Sequence, residues 1–254
     1  MISRGGKRIT YGFLYLLVIV GLGVGFYSMF LKSSPTCSDG ARNQGEENVD
    51  CGGPCDDCKI TALSILVGEK GYFPISRLRK TTFYLEFKNP SGEFWVKNFD
   101  YTLNVFDSSG VKIGSFSGNS SIAPSGKRVV AIVAADVDAK NIARTDLGVM
   151  NPEWSPLVEY HVDGVNVADV KSQIITGGKV YVSGTVTNNV SSAAKKVTIT
   201  AVFRNKESRI VNASTTTVDS LSPFSKKDFE IFLTPDQTTL LDLARTEIVT
   251  EVVR

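Results

Sequence analysis

The residues able to do chemistry in this chain are concentrated in one stretch, CSDGARNQGEENVDCGGPCDDC, residues 37–58, which holds all four cysteines of the 254-residue sequence. Asp39, Asn43, Glu46 and Asp50 fall at intervals of four, three and four. All four are hard oxygen donors, the chemistry Ca²⁺ prefers, and Gly40 and Gly45 would let the chain wrap around an ion. Their spacing is not that of an EF-hand loop, whose ligands come at alternate positions. The competing reading is a solvated acidic loop beside a disulfide knot. Cys51, Cys55 and Cys58 resemble a zinc-ligand cluster, but the usual pair of CxxC motifs is absent. The single CxxC, Cys55-Asp56-Asp57-Cys58, has two carboxylates between its sulfurs, which disfavours a thiolate and a redox role. Disulfides therefore rank above zinc, and zinc above redox. Val49 is the largest aliphatic residue in the stretch, so no core can hold it together. Two disulfides among Cys37, Cys51, Cys55 and Cys58 would do so, with all three pairings open. Gly52 and Gly53 supply the positive φ that a tight knot needs.

Whether sulfurs oxidise depends on the compartment, and the preceding residues speak to that. Residues 11–31, YGFLYLLVIVGLGVGFYSMFL, carry no charge, and as a helix they would span the roughly 30 Å of a bilayer core. Tyr11, Phe13, Phe26, Tyr27 and Phe30 sit near the two ends, as interfacial aromatics do. Gly21, Gly23 and Gly25 leave one side narrow enough for a second helix to approach. Arg4, Lys7 and Arg8 precede the run, and Lys32 alone stands between it and the acidic stretch. That bias predicts a cytoplasmic N-terminus, residues 1–10, a single-pass span over 11–31, and export of residues 33–254. A cleaved signal peptide is the rival, but bulky FYSMFLK stands where a small-residue cleavage signal belongs. In an oxidising compartment four clustered cysteines read as disulfides.

The cysteine pattern resembles a short module, CxDGxxNxxExxxDCGGxCxxC, of exported bacterial and archaeal proteins. It occurs there as an accessory segment beside other extracellular domains, so the resemblance implies placement and no activity.

Beyond Cys58 the apolar pattern becomes period two, in TFYLEF (82–87), DYTLNVF (100–106), KVYVSGTV (179–186) and KVTITAVF (196–203). These read as strands with one buried face. Turn signals such as Asn89-Pro90-Ser91-Gly92 and Pro124-Ser125-Gly126 separate them. The strands also repeat. Phe87-Lys88-Asn89 matches Val186-Thr187-Asn188, Val105-Phe106 matches Val202-Phe203, and Ile122-Ala123-Pro124 matches Leu221-Ser222-Pro223. An offset of about a hundred residues is a domain duplication. Each unit has the length of a small β-sandwich, with Asn89 or Asn188 holding a turn, Tyr101, Leu103 and Val105 alternating into the core, and Phe106 or Phe203 as candidate core rings. Residues 136–160 read as a stretch that either closes the first sandwich or leads into the second, with a short helix or turn over Asp136 to Thr145 and with Trp154 packing. The C-terminal tail reads as a connector and a last strand, Ile248 to Val253.

VSGTVTN (182–188), VTITAVF (197–203) and LSPFSKKDFEI (221–231), with FKN (87–89), LNVFDSSG (103–110) and IAPSGKRVVAI (122–132), resemble FxLYD-type and related immunoglobulin-like sandwich domains of bacterial envelope proteins. Arg204-Asn205 departs from the family's aromatic-Asp step, which Phe106-Asp107 keeps. The resemblance implies adhesion, assembly or spacing, not catalysis.

Composition narrows the function classes. A net charge of +2 carries no nucleic-acid footprint, and His161 is the sole histidine. No Walker loop, GxSxG, HExxH or SxxK motif occurs. Asp136 and Asp138 read as solvated edge residues. Lys195-Lys196 and Lys226-Lys227 read as edge-strand lysines that block aggregation. Asn119, Asn189 and Asn212 begin sequons. The expected protein is all-β beyond its membrane helix: a Cys-rich module over 32–59 and two tandem immunoglobulin-like β-sandwiches over 60–159 and 160–254. It is expected to be a non-enzymatic envelope protein that contacts other surface proteins and no nucleic acid. The alternative is an extracytoplasmic ligand-binding or Ca²⁺-dependent receptor component, Ca²⁺ being the one candidate cofactor.

Overall fold

The computed structural model describes residues 4–27, 36–233 and 241–254, with side chains from residue 11 onward. Contacts divide the chain into two units, residues 1–62 and 63–254.

In the first unit, helix α1 spans Arg4–Phe26. Every described side chain from Tyr11 to Tyr27 is exposed, including Leu22 and Val24. Among the described residues no helix is long and apolar enough to cross a membrane. Residues 28–31, which end the predicted span, lie outside the described residues. The knot comes next, with short turns and one isolated bridge between Asn48 and Cys51.

The second unit is built of strands. β1 (Leu66–Ile75), β2 (Lys80–Lys88), β3 (Phe94–Phe106), β4 (Lys112–Ile122), β5 (Lys127–Ala135) and β6 (Arg144–Pro156) form the first set. β7 (Val165–Ile175), β8 (Lys179–Asn188), β9 (Ala194–Arg204), β10 (Ile210–Leu221), β11 (Lys226–Leu233) and β12 (Asp242–Val253) form the second. The sheets run β1-β2-β5 and β4-β3-β6 in one set, β7-β8-β11 and β10-β9-β12 in the other, so the strand order repeats. Every pairing is antiparallel. Each pair of sheets encloses its own core. Phe83, Leu85, Phe87, Phe99, Leu103 and Val105 lie in the first, and Val182, Val186, Ile199, Phe203, Phe229 and Ile231 in the second.

The duplication reaches individual hydrogen bonds. Asn89 ends β2 buried, its Nδ2 donating to Phe94 O (2.7 Å) and Ala123 O (3.1 Å) while Oδ1 accepts from Ser91 N (2.8 Å). Asn188 ends β8 in the same way, donating to Ser192 O (2.8 Å) and Ser222 O (3.1 Å). The amide ties the end of one sheet to two loops, satisfying carbonyls that burial would otherwise strand.

Three expectations change and one alternative is decided. Phe106 is not a core residue: it is half-exposed beneath the Arg144 guanidinium, 4.4 Å from the ring centre. Val105 takes the core place that matches Phe203, because Asp107 and Asn205 open equivalent turns. Of the two readings of residues 136–160, the first describes what is found: after one 3-10 turn at Ala139–Asn141, residues 144–156 form strand β6 of the first sandwich, and Trp154 packs against its core. The last strand begins at Asp242, earlier than Ile248. Finally, β2 is buried on both faces from Thr81 to Phe87, and so is β9 from Thr200 to Phe203. A strand covered on both sides needs a second layer, and here the other sandwich supplies it.

Candidate functional site

The cysteines pair as Cys37–Cys55 and Cys51–Cys58, with no free cysteine among the described residues. Gly53 has φ +61, and a Cβ there would stand 2.5 Å from Gly45 O. Gly52 at φ +79 is equally crowded against Glu47, so both are required by the turn.

The three carboxylates among the four oxygen donors of the knot accept from backbone N–H groups. Asp39 accepts from Ala41 N (2.9 Å) and from Asn43 Nδ2 (2.8 Å). The hydrogen bond from Asn43, then that from Ala41, holds its carboxyl below the usual range. Both oxygens of Asp50 accept from Gly40 N at 3.0 Å. Glu46 is 4% exposed and takes Asn43 N on Oε2 at 3.1 Å. Its Oε1 lies 3.4 Å from Cys55 Sγ, a disulfide sulfur with no proton to give. Asn43 Oδ1 is buried without a hydrogen-bond donor. Asp39 and Asn43 are thus brought together, as are Asn43 and Glu46, while Asp50 braces Gly40. Among the described residues no three His, Cys, Asp or Glu side chains converge closely enough to hold a metal ion.

A second concentration of functional groups lies where the two sandwiches meet. The outer face of β1-β2-β5 packs on the outer face of β10-β9-β12. Its apolar centre is Tyr84, Val129, Val202 and Ala213, with Phe73, Ala131, Ile210 and Val249 around them. Polar groups rim it. Lys127 Nζ meets Glu247 Oε1 at 2.6 Å, and Arg204 meets Glu247 Oε2 at 3.2 Å and Glu69 at 3.8 Å. Arg128, buried, donates to Ser121 O (2.7 Å) and Thr250 O (2.9 Å), and Ser120 bonds Glu251. Glu86, also buried, accepts from Tyr84 OH (3.2 Å) and pairs with Lys88 (3.0 Å). Burial, and then the Glu86 charge, push the Tyr84 hydroxyl up, so it stays a donor. Burial alone would raise the Glu247 carboxyl, but Lys127 and then Arg204 hold it below the usual range. This seam was missed in the sequence, because Thr82 and Glu86 alternate with Phe83, Leu85 and Phe87 as on a one-faced strand, while the structure buries all seven positions from Thr81 to Phe87.

The remaining candidates have structural employment. Asp138 caps a single 3-10 turn, accepting from Lys140 N, and pairs with Arg79 at 3.1 Å. His161 is exposed, its Nδ1 2.9 Å from Glu159 O. Lys227 donates to Asp219 O across 2.8 Å. Of the sequon asparagines, Asn119 and Asn189 are exposed and Asn212 is buried.

No family model and no curated protein matches the chain. Among solved structures, a red sea bream transglutaminase is similar at 12% identity and a TM-score of 0.23, over 76% of this chain and 31% of that one. The exo-beta-D-glucosaminidase CsxA is similar at 10% identity and 0.25, over 72% and 25%. A CBM22-1–CBM22-2 tandem domain from Paenibacillus barcinonensis Xyn10C is similar at 7% and 0.16, over 74% and 85%. The chain thus spans under a third of the first two, and likenesses this distant carry no argument about fold or activity.

Proposed function

We propose that this is a single-pass membrane protein, cytoplasmic at its N-terminus, that presents a disulfide-tied knot and two immunoglobulin-like sandwiches outside the membrane for contact with envelope or surface proteins. It works as a scaffold and not as an enzyme. The observation that carries this reading is the pairing of all four cysteines into two disulfides a few residues beyond a bare apolar helix. Disulfides in so small a segment persist where the surroundings oxidise them. The exposed apolar side chains of α1 support a lipid environment, since water would not tolerate such a surface on a free helix. Six antiparallel strands in a repeated three-on-three order support the immunoglobulin-like reading. The test is labelling of intact cells with an impermeant maleimide after reduction by an impermeant phosphine. Labelling of all four cysteines is expected. Cysteines that react only after lysis would reverse the topology and remove the surface role.

A second reading, Ca²⁺ binding by the knot, has one observation in its favour. Glu46 is buried with no cation among the described residues within ion-pair reach, and Asn43 Oδ1 lacks a donor, so two oxygens there have unused capacity. Calorimetry of the full chain in detergent with CaCl₂ decides it. Binding heat that Glu46→Gln abolishes is expected on this reading, and no heat at millimolar Ca²⁺ ends it.

A further inference from the structure

The seam joins two different faces, β1-β2-β5 of the first sandwich and β10-β9-β12 of the second. A joint of that kind has no internal two-fold to close it, and by itself it can repeat from copy to copy. The duplication makes the next joint easy to locate. β7-β8-β11 of one molecule corresponds to the first face, and β4-β3-β6 of another corresponds to the second. Within residues 63–254 neither of these two outer faces carries a hydrophobic cluster like that of the seam.

The registers identify equivalent residues without ambiguity. Tyr84 pairs with Ala131 across β2-β5 as Ser183 pairs with Glu230 across β8-β11, and Glu86 with Val129 as Thr185 with Asp228. Phe73 opposes Thr82 as Gln173 opposes Tyr181. On the other side, Val202 pairs with Ala213 as Asn104 pairs with Ser115, and Thr200 with Val249 as Thr102 with Gly148. Ile210, beside Arg204, corresponds to Lys112, beside Phe106. Every apolar residue of the seam therefore has a polar residue or glycine in its place on the free face. Tyr84, Val129, Ala131 and Phe73 give way to Ser183, Asp228, Glu230 and Gln173. Val202, Ala213, Val249 and Ile210 give way to Asn104, Ser115, Gly148 and Lys112.

We infer that these eight positions set the array at two sandwiches: polar where the seam is apolar, they exclude docking on the free β7-β8-β11 and β4-β3-β6 faces by a second copy of the chain, although Tyr181 and Phe232 leave one apolar pair beside them. Docking would bury Asp228 and Glu230, which accept from Thr185 and Tyr181, together with Lys171 of the same hollow, against Asn104, Ser115 and Gly148, with Lys112 the one cation among the eight positions. Desolvating two carboxylates against amide, hydroxyl and glycine costs more than the meeting of small side chains returns. Repeat arrays end the same way, on outer faces made polar where inner faces are apolar. The seam has this property whatever the protein binds elsewhere.

The test restores the seam residues on one face at a time in the full chain, kept in mild detergent for α1. One variant carries Ser183→Tyr, Asp228→Val and Glu230→Ala. The other carries Asn104→Val, Ser115→Ala and Gly148→Val, the last with room, since a Cβ at Gly148 meets only Thr102 O at 3.9 Å. The two are labelled with different dyes, and energy transfer on mixing is compared with that of labelled wild type. Circular dichroism and melting temperature establish that each is folded. The expected result is one-to-one association of the mixed variants at least about a hundredfold tighter than the wild type's, and open-ended oligomers when one chain carries all six changes. Folded variants that stay apart when mixed at about 100 µM, above the micromolar dissociation constants of weak interfaces, overturn the inference. So does wild-type protein that already associates through these faces, shown by loss of its energy transfer on Asn104→Lys.

Discussion

At the scale of single residues, the two asparagines at the strand ends do the most with the fewest atoms. Asn188 gives its amide protons to the loops at Ser192 and Ser222 and is fully buried. Asn188→Ala leaves those carbonyls facing an apolar gap, and the expected loss is about 1–3 kcal/mol by urea denaturation. Asn188→Asp should be no better, since a carboxylate cannot donate to a carbonyl. The phenylalanines provide a sharper contrast. Phe203→Ala empties a core site and should cost about 3–5 kcal/mol. Phe106→Ala forfeits mainly the Arg144 contact, worth about 0.5–1 kcal/mol at a half-exposed site. Equal losses from the two would mean that both rings are core. The role of Asn89 and Asn188 was legible in the sequence because an asparagine at a strand's end has few other uses. The place of Phe106 was not. In a strand a one-residue slip reverses the face: the alternation of Tyr101, Leu103 and Val105 marks the buried side, but matching Phe106 to Phe203 between the repeats slips by one residue and sets Phe106 against it.

At the scale of elements, the knot and the strands are held by different forces, and that difference can be tested. Inside the knot the buried side chains are few, Cys51 and Glu46 among them, and the carboxylates serve as acceptors for backbone N–H groups. Two covalent links therefore provide most of what keeps it folded. Reduction should erase amide protection over residues 36–58 in hydrogen exchange. Protection over 63–254 should stay unchanged, because that unit is compact by itself and contains no cysteine. Protection that survives in the knot would point to a bound ion as its second support. The need for disulfides was readable from how little apolar material the stretch contains, whereas their pairing depends on backbone turns that no spacing rule encodes. Strand β6 stayed hidden for a related reason. Gly148, Pro152 and the positive φ of Asn151 break the alternation that betrays a strand, and its pairing with β3 across eleven partnered positions carries it instead.

At the scale of the whole molecule, residues 63–254 form one body of four sheet layers, and its seam decides how that body responds to damage and to acid. Val129 is buried in the seam and absent from either core. Val129→Asp would place a carboxylate in the apolar cluster between the sandwiches, opposite Glu86 in the strand register. The wild type should unfold in one transition, because each sandwich contributes one wall of the seam. The variant should unfold in two, with the hydrogen-bonded cores otherwise intact. Acid should act on the same joint. Glu247 has its carboxyl held below the usual 4.5, so it binds fewer protons in the folded state than in the unfolded one. Its contribution is present in full above the unfolded value and is lost as pH falls through the folded value. Asp163 works in the opposite sense, since burial raises its carboxyl, so its penalty is felt above the usual 3.8 and relieved on acidification. Glu247→Gln should therefore weaken the seam at pH 7 and matter little at pH 3, a narrowing gap between the two urea midpoints. A gap that stays constant with pH would assign the loss to packing and not to the ion pairs with Lys127 and Arg204. Added salt separates these too: it should shrink the Glu247 effect, whose side chain is one-third exposed, and leave the effect of Val129→Asp on cooperativity in place.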